Sequence, residues 1–135
     1  IGLGIVKGFG FRGGALGISV AHDSHNLIVL GDSNEAMAKA VRALERIGGG
    51  MVLIGNDKER VLPLDIAGLM SSLPAEEVAR RSGELSARAK EMGVRDGYEP
   101  FMSLAFLSLA VIPELKLTDR GLFDVRTFSF MNIED

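Results

Sequence analysis

Both histidines of the 135-residue chain fall within one five-residue polar segment, His22-Asp23-Ser24-His25-Asn26, set between two apolar runs. Paired imidazoles can bind a metal ion, pass protons near neutral pH, or hydrogen-bond a flat heterocycle. The competing reading is a polar turn in which Asp23 and Asn26 bond the local backbone and the histidines stay half exposed. Before the segment, Leu16, Ile18 and Val20 alternate with Ala15, Gly17, Ser19 and Ala21, the period of a strand with one buried face. After it, Leu27-Ile28-Val29-Leu30 is a continuous apolar run, as expected of a strand covered on both faces. A two-residue turn at Asp23-Ser24 would set His22 opposite His25, Val20 opposite Leu27 and Ile18 opposite Val29, with the histidine Cβ atoms about 5 Å apart.

The length suits a single domain over residues 1–135, and nearly half of the residues are hydrophobic, enough for a packed core. A formal net charge of −3 with interspersed signs argues against nucleic acid as the main partner. No apolar run approaches the length of a membrane span. The lack of cysteine excludes disulfides and thiolate zinc sites, and it fits a cytoplasmic protein. Residues 1–6 read like the middle of a strand, so the chain is expected to be a piece of a longer one.

The glycine-rich opening does not make a phosphate loop. Gly2-x-Gly4 is followed by Lys7 where the dinucleotide fingerprint needs its third glycine, and no Gly-Lys-Ser/Thr occurs. Residues 8–14 read instead as a turn between strands, flanked by Lys7 and Arg12, cations that could meet an anion but are more commonly solvated. Asp32 with Glu35 three residues on forms a capping-box pattern, Met37, Val41 and Leu44 recur on one helical face, and Gly48-Gly49-Gly50 stops the helix. Strands are predicted at residues 51–54 and 60–64 around a hairpin at residues 56–58, with Pro63 at an edge or an end. A second helix begins near Pro74, with Val78, Leu85, Ala89 and Met92 inward and a charged outer face. Residues 101–112 permit a buried helix, with the tail from Leu107 open to being a strand, residues 113–124 read as a surface loop, and residues 127–130 can add a last strand. The order strand, strand, helix from Ala15 and again from Met51 hints at two similar units. The fold class expected is α/β (α+β), with a mixed or mainly antiparallel sheet carrying hairpins and covered by at least two helices.

With these segments in view, the chain resembles the C-terminal region of bacterial and archaeal adenine deaminases. The matching stretches are residues 4–10, residues 19–26, the triple-glycine helix stop with its following strand, Pro63-Leu64-Asp65-Ile66-Ala67-Gly68-Leu69-Met70-Ser71, and Pro113-Glu114-Leu115-Lys116-Leu117-Thr118-Asp119-Arg120-Gly121-Leu122-Phe123. The resemblance implies hydrolysis of adenine to hypoxanthine and ammonia by an amidohydrolase-type enzyme. Its divalent metal, manganese or iron, would lie in an upstream barrel domain rather than here. Two histidines and no His-x-His pair are too few for that centre, so the isolated chain is expected to be inactive. It also implies that His22, Asp23, Ser24, His25 and Asn26 project toward the substrate site, the rival being that the same residues seal an interface between domains or subunits through a buried polar network, with a weaker candidacy for Glu114, Lys116 and Asp119. The expected partners are the upstream barrel, adenine and a second copy of the chain in a homo-oligomer. Two rival roles remain: a stand-alone small-molecule or metal-binding module, and a structural interaction domain.

Overall fold

The computed structural model describes residues 1–55 and 58–133. A four-stranded antiparallel sheet forms from β1 (Gly14–Ile18), β2 (Ile28–Gly31), β3 (Gly50–Gly55) and β4 (Lys58–Pro63), in the order β2-β1-β3-β4. Helix α1 (Asn34–Ile47) follows β2, and α2 (Ala75–Glu91) and the short α3 (Pro100–Ala105) follow β4. A three-stranded antiparallel sheet of β5 (Leu115–Thr118), β6 (Gly121–Asp124) and β7 (Ser129–Met131) ends the chain. The hairpin turn expected at residues 56–58 falls largely on residues outside those described, but its flanking strands pair from Gly50 opposite Pro63 to Gly55 opposite Lys58. Pro63 ends β4, an edge strand, where a missing N–H costs no ladder bond.

The four-stranded sheet is covered on both faces, and side-chain alternation decides which residue meets which cover. Leu16 and Ile18 of β1, Ile28 of β2, Leu53 of β3 and Leu62 of β4 pack with Leu85 and Ala89 of α2 and Phe101 and Leu104 of α3. Ala15, Val52 and Ile54 point the other way, onto Ala40, Ala43 and Leu44 of α1. This explains why β3 reads as a continuous apolar run. Burying Leu16, Leu53, Leu62 or Phe101 contributes about 1.5–3 kcal/mol each. The strand, strand, helix order does occur twice, with α1 and α2 on opposite faces.

A buried serine ties the sheet to its loops. Ser19, directly after β1, accepts from the Gly50 N–H at 2.7 Å and donates to the Gly68 carbonyl at 2.5 Å. Gly49, at φ +104°, packs beneath it, where a Cβ would stand 2.6 Å from Gly68 Cα. No side chain fits there.

Several expectations are corrected. The N-cap of α1 is Ser33, whose Oγ accepts from Ala36 N at 3.2 Å. Asp32 instead accepts from the N–H groups of Gly13 at 2.5 Å and Gly14 at 3.2 Å, anchoring the entry to β1, while Ser33 serves the first turn of the helix. Residues 1–6 form no strand; they run alongside the C-terminal sheet, with Gly2 so close to it that a Cβ would stand 1.8 Å from Thr118 O. The apolar run at 101–112 is helical only to Ala105, followed by a 3-10 turn at Phe106–Ser108. Phe101, Leu104 and Ala105 fill the inward face, whereas Val111 is 71% exposed. Pro113 disfavours helix at the residue before it. Residues 113–124 are not a loop but carry the β5–β6 hairpin, which pairs from Leu115 opposite Asp124 to Thr118 opposite Gly121.

Candidate functional site

The connection carrying the histidines is wider than a two-residue turn. β1 and β2 pair with Ile18 opposite Ile28 and Gly17 opposite Val29, one residue out of the register expected from the sequence. Leu16, Ile18, Ile28 and Leu30 thereby share one face. Residues 19–27 are left as the connecting segment, and the Ser19 hydrogen bonds take its first residue away from any tight hairpin. His22 and His25 do not face each other across a ladder. Their rings are tilted by 56° with centroids 6.3 Å apart.

The backbone of this loop is held while its side chains are left available. Ser108 Oγ donates to the His22 carbonyl at 2.8 Å, tying the loop to the 3-10 turn, and His25 N–H donates to Ala21 O at 2.6 Å. His25 adopts φ +50°, the left-handed region that a turn of this kind demands. His22 packs its ring on Phe106 at a centroid distance of 5.0 Å. Asp23, Ser24, His25 and Asn26 are exposed, and among the described residues no hydrogen bond of their side chains is made.

Ser24 and Asn26 turn to a groove of about 420 Å³, where they meet Asp119 from the β5–β6 turn. That turn is fixed by Thr118 Oγ1, which donates to Gly121 O at 3.0 Å and accepts from Arg120 N at 3.2 Å. The remainder of the groove is mainly apolar, with Ile1, Leu3, Leu27 and Val41 among its walls. Chain segments up to 118 residues apart in sequence therefore meet around one concavity. The structure brings Ser24, Asn26 and Asp119 together; it does not bring Glu114 or Lys116 to them. Glu114 pairs with Arg126 at 3.1 Å, and Lys116 lies on β5 opposite Phe123. At the far end of β6, the Arg126 N–H holds the Asp124 carboxyl below its ordinary range.

Among the described residues no group of three or more His, Cys, Asp or Glu side chains could hold a metal ion. The two imidazoles, with ring centroids 6.3 Å apart, belong to no such group among the described residues. The described residues contain no helix long and apolar enough to cross a membrane.

Two features of the site were not singled out from sequence. Ser108 sits inside an apolar run that also holds Ser103, and nothing in the spacing sets it apart. Val41 was expected on the buried face of α1 but is 40% exposed, because the small residues Ala40 and Ala43 let Leu44 carry that contact.

Over residues 1–129 the sequence matches the family described as the adenine deaminase C-terminal domain. Adenine deaminase of Nitratidesulfovibrio vulgaris (strain DP4) is 53% identical over 98% of this chain and 24% of its own length. That of Bacillus subtilis (strain 168) is 45% identical over 98% of this chain and 23% of its own, and that of Methanoregula boonei is 49% identical over 95% and 23%. The chain spans about a quarter of the length of these curated relatives.

Proposed function

The chain belongs to the adenine deaminase C-terminal domain family, and from that premise we propose that it is the accessory C-terminal part of an enzyme that hydrolyses adenine to hypoxanthine and ammonia, with residues 22–26 helping to form or close the substrate site. In this reading residues 1–135 are one domain of a longer, cytoplasmic protein, and the catalytic centre lies upstream.

The observation that carries the reading is the state of the loop: its backbone is tied down at His22 and His25 while the side chains of Asp23, Ser24, His25 and Asn26 spend none of their hydrogen-bonding capacity within the described residues. A fixed backbone presenting unused polar groups is the arrangement that recognition of a polar ligand requires. The Asn26 amide offers a donor and an acceptor, the complement of an edge on which a ring nitrogen neighbours an amino group. Asp23 can accept from an exocyclic amino group, and the His25 imidazole offers ring nitrogens to hydrogen-bond a ligand. Such a site discriminates strongly, since an analogue without the matching group leaves buried polar atoms unpaired.

The test is conversion of adenine to hypoxanthine by the 135-residue chain alone and by the same chain joined to its upstream region, with manganese or iron supplied to both. Turnover only in the longer protein is expected. Turnover by the short chain alone, or by neither, would contradict the reading.

A further inference from the structure

We infer that the groove between the residue 22–26 loop, α1 and the β5–β6 turn is the seat of the upstream part of the parent polypeptide, so that the loop is held at the boundary between the two parts. This deepens the proposed function and rests on it.

The chain accounts for about a quarter of its relatives and matches a C-terminal domain, so in those relatives most of the polypeptide precedes the matched region. The groove lies where such a chain would arrive, because Ile1 and Leu3 line it. Three of its apolar residues are left exposed on a floor that includes the buried Ile28: Leu3 is 71% exposed, Leu27 45% and Val41 40%. Exposed apolar side chains gathered in one groove mark a contact surface. The rim fits a polypeptide partner too. Ser24, Asn26 and Asp119 stand around the apolar floor, giving the apolar centre and hydrogen-bonding edge of an interface between parts of one protein. The loop forms one wall of the groove, so docking here would carry Asp23 and His25 to the edge of the upstream part while burying Leu27.

The experiment uses the full-length enzyme carrying Val41→Cys or, separately, Leu27→Cys. The present chain has no cysteine of its own, and maleimide labelling at the introduced thiol is read peptide by peptide by mass spectrometry. Docking predicts labelling at both positions at least about fiftyfold slower in the native enzyme than in denaturant, independent of protein concentration and of adenine. Labelling within about threefold of the denatured rate at both positions would overturn the inference. Protection that disappears on dilution to monomer would assign the groove to a second copy, and protection that appears only with adenine would assign it to a ligand; either outcome overturns it. The two proposals can fail separately. Free labelling in an enzyme whose turnover still depends on Asp23 and His25 removes the docking face alone, whereas protection in an enzyme indifferent to those residues removes only the substrate-site role.

Discussion

Replacing Ser19 by alanine removes one oxygen from a site that cannot replace it. Ser19 is 6% exposed, and its hydroxyl satisfies two buried main-chain groups from different segments, the Gly50 N–H at the start of β3 at 2.7 Å and the Gly68 carbonyl in the loop after β4 at 2.5 Å. Its backbone N–H bond to Gly50 O at 3.0 Å survives the substitution, so Gly50 O keeps a partner while Gly50 N–H and Gly68 O lose theirs. Each orphaned buried group costs about 1–3 kcal/mol, and with partial relaxation of the Gly68 loop the total comes to about 3 kcal/mol. For a chain of this length that is a fall of about 10 °C in Tm. Urea unfolding followed by circular dichroism reads it as a midpoint lowered by about 1.5 M at unchanged slope. A loss below about 0.5 kcal/mol would show that Gly50 and Gly68 reach water in the native state and would refute the knot as a source of stability.

Two further outcomes follow from α2. Gly83 lies exposed within the helix with nothing within 4 Å of an added Cβ, so Gly83→Ala gains about 0.8–1 kcal/mol of helix stability, measurable as a raised unfolding midpoint. An unchanged or lowered midpoint would contradict the open geometry. Glu77 is pulled from 4.5 to about 2, chiefly by hydrogen bonds from Arg80 and then Arg81. Its folded value lies below its unfolded one, so the stability it adds is present above about pH 4.5 and is lost as pH falls toward 2. Glu77→Gln is expected to flatten the pH dependence of unfolding in that window while leaving the shape above pH 5 unaltered; an identical acid slope in both proteins would contradict the pairing.

The sheet was legible because its signals are local and strong. β3 is a short apolar run following three glycines, and α1 carries a stop at Gly48 and a capping residue within one position of that expected. The register of β1 and β2 was not legible, since it depends on Ser19 bonding to Gly50 and Gly68, up to 49 residues away, rather than on a turn type. The same limit hid the hairpin in residues 115–124: Asp119-Arg120 lacks the Asn-Gly or Asp-Gly that marks a tight turn, and a glycine follows only at 121. At the candidate site, the polar segment announced itself by composition. Its neighbour Asp119 did so only as one charge among several in a stretch resembling the family, because the groove that joins it to Ser24 and Asn26 exists only after the C-terminal sheet has packed beside residues 1–4. Val41 and Leu27 are misleading for a physical reason: apolar residues at helical or strand spacing look like core whether the surface that covers them belongs to the same domain or to another.

The most direct measurement is kcat/KM for adenine in the full-length enzyme bearing Asp23→Ala and, separately, His25→Ala, with unfolding midpoints measured alongside. Both side chains are exposed and make no internal hydrogen bond among the described residues, so neither substitution removes a hydrogen bond that supports the fold. The substrate-site role predicts a fall of at least about tenfold in each variant, the loss of one hydrogen bond to a polar or charged partner, with midpoints unchanged. Wild-type kcat/KM in both variants would contradict it.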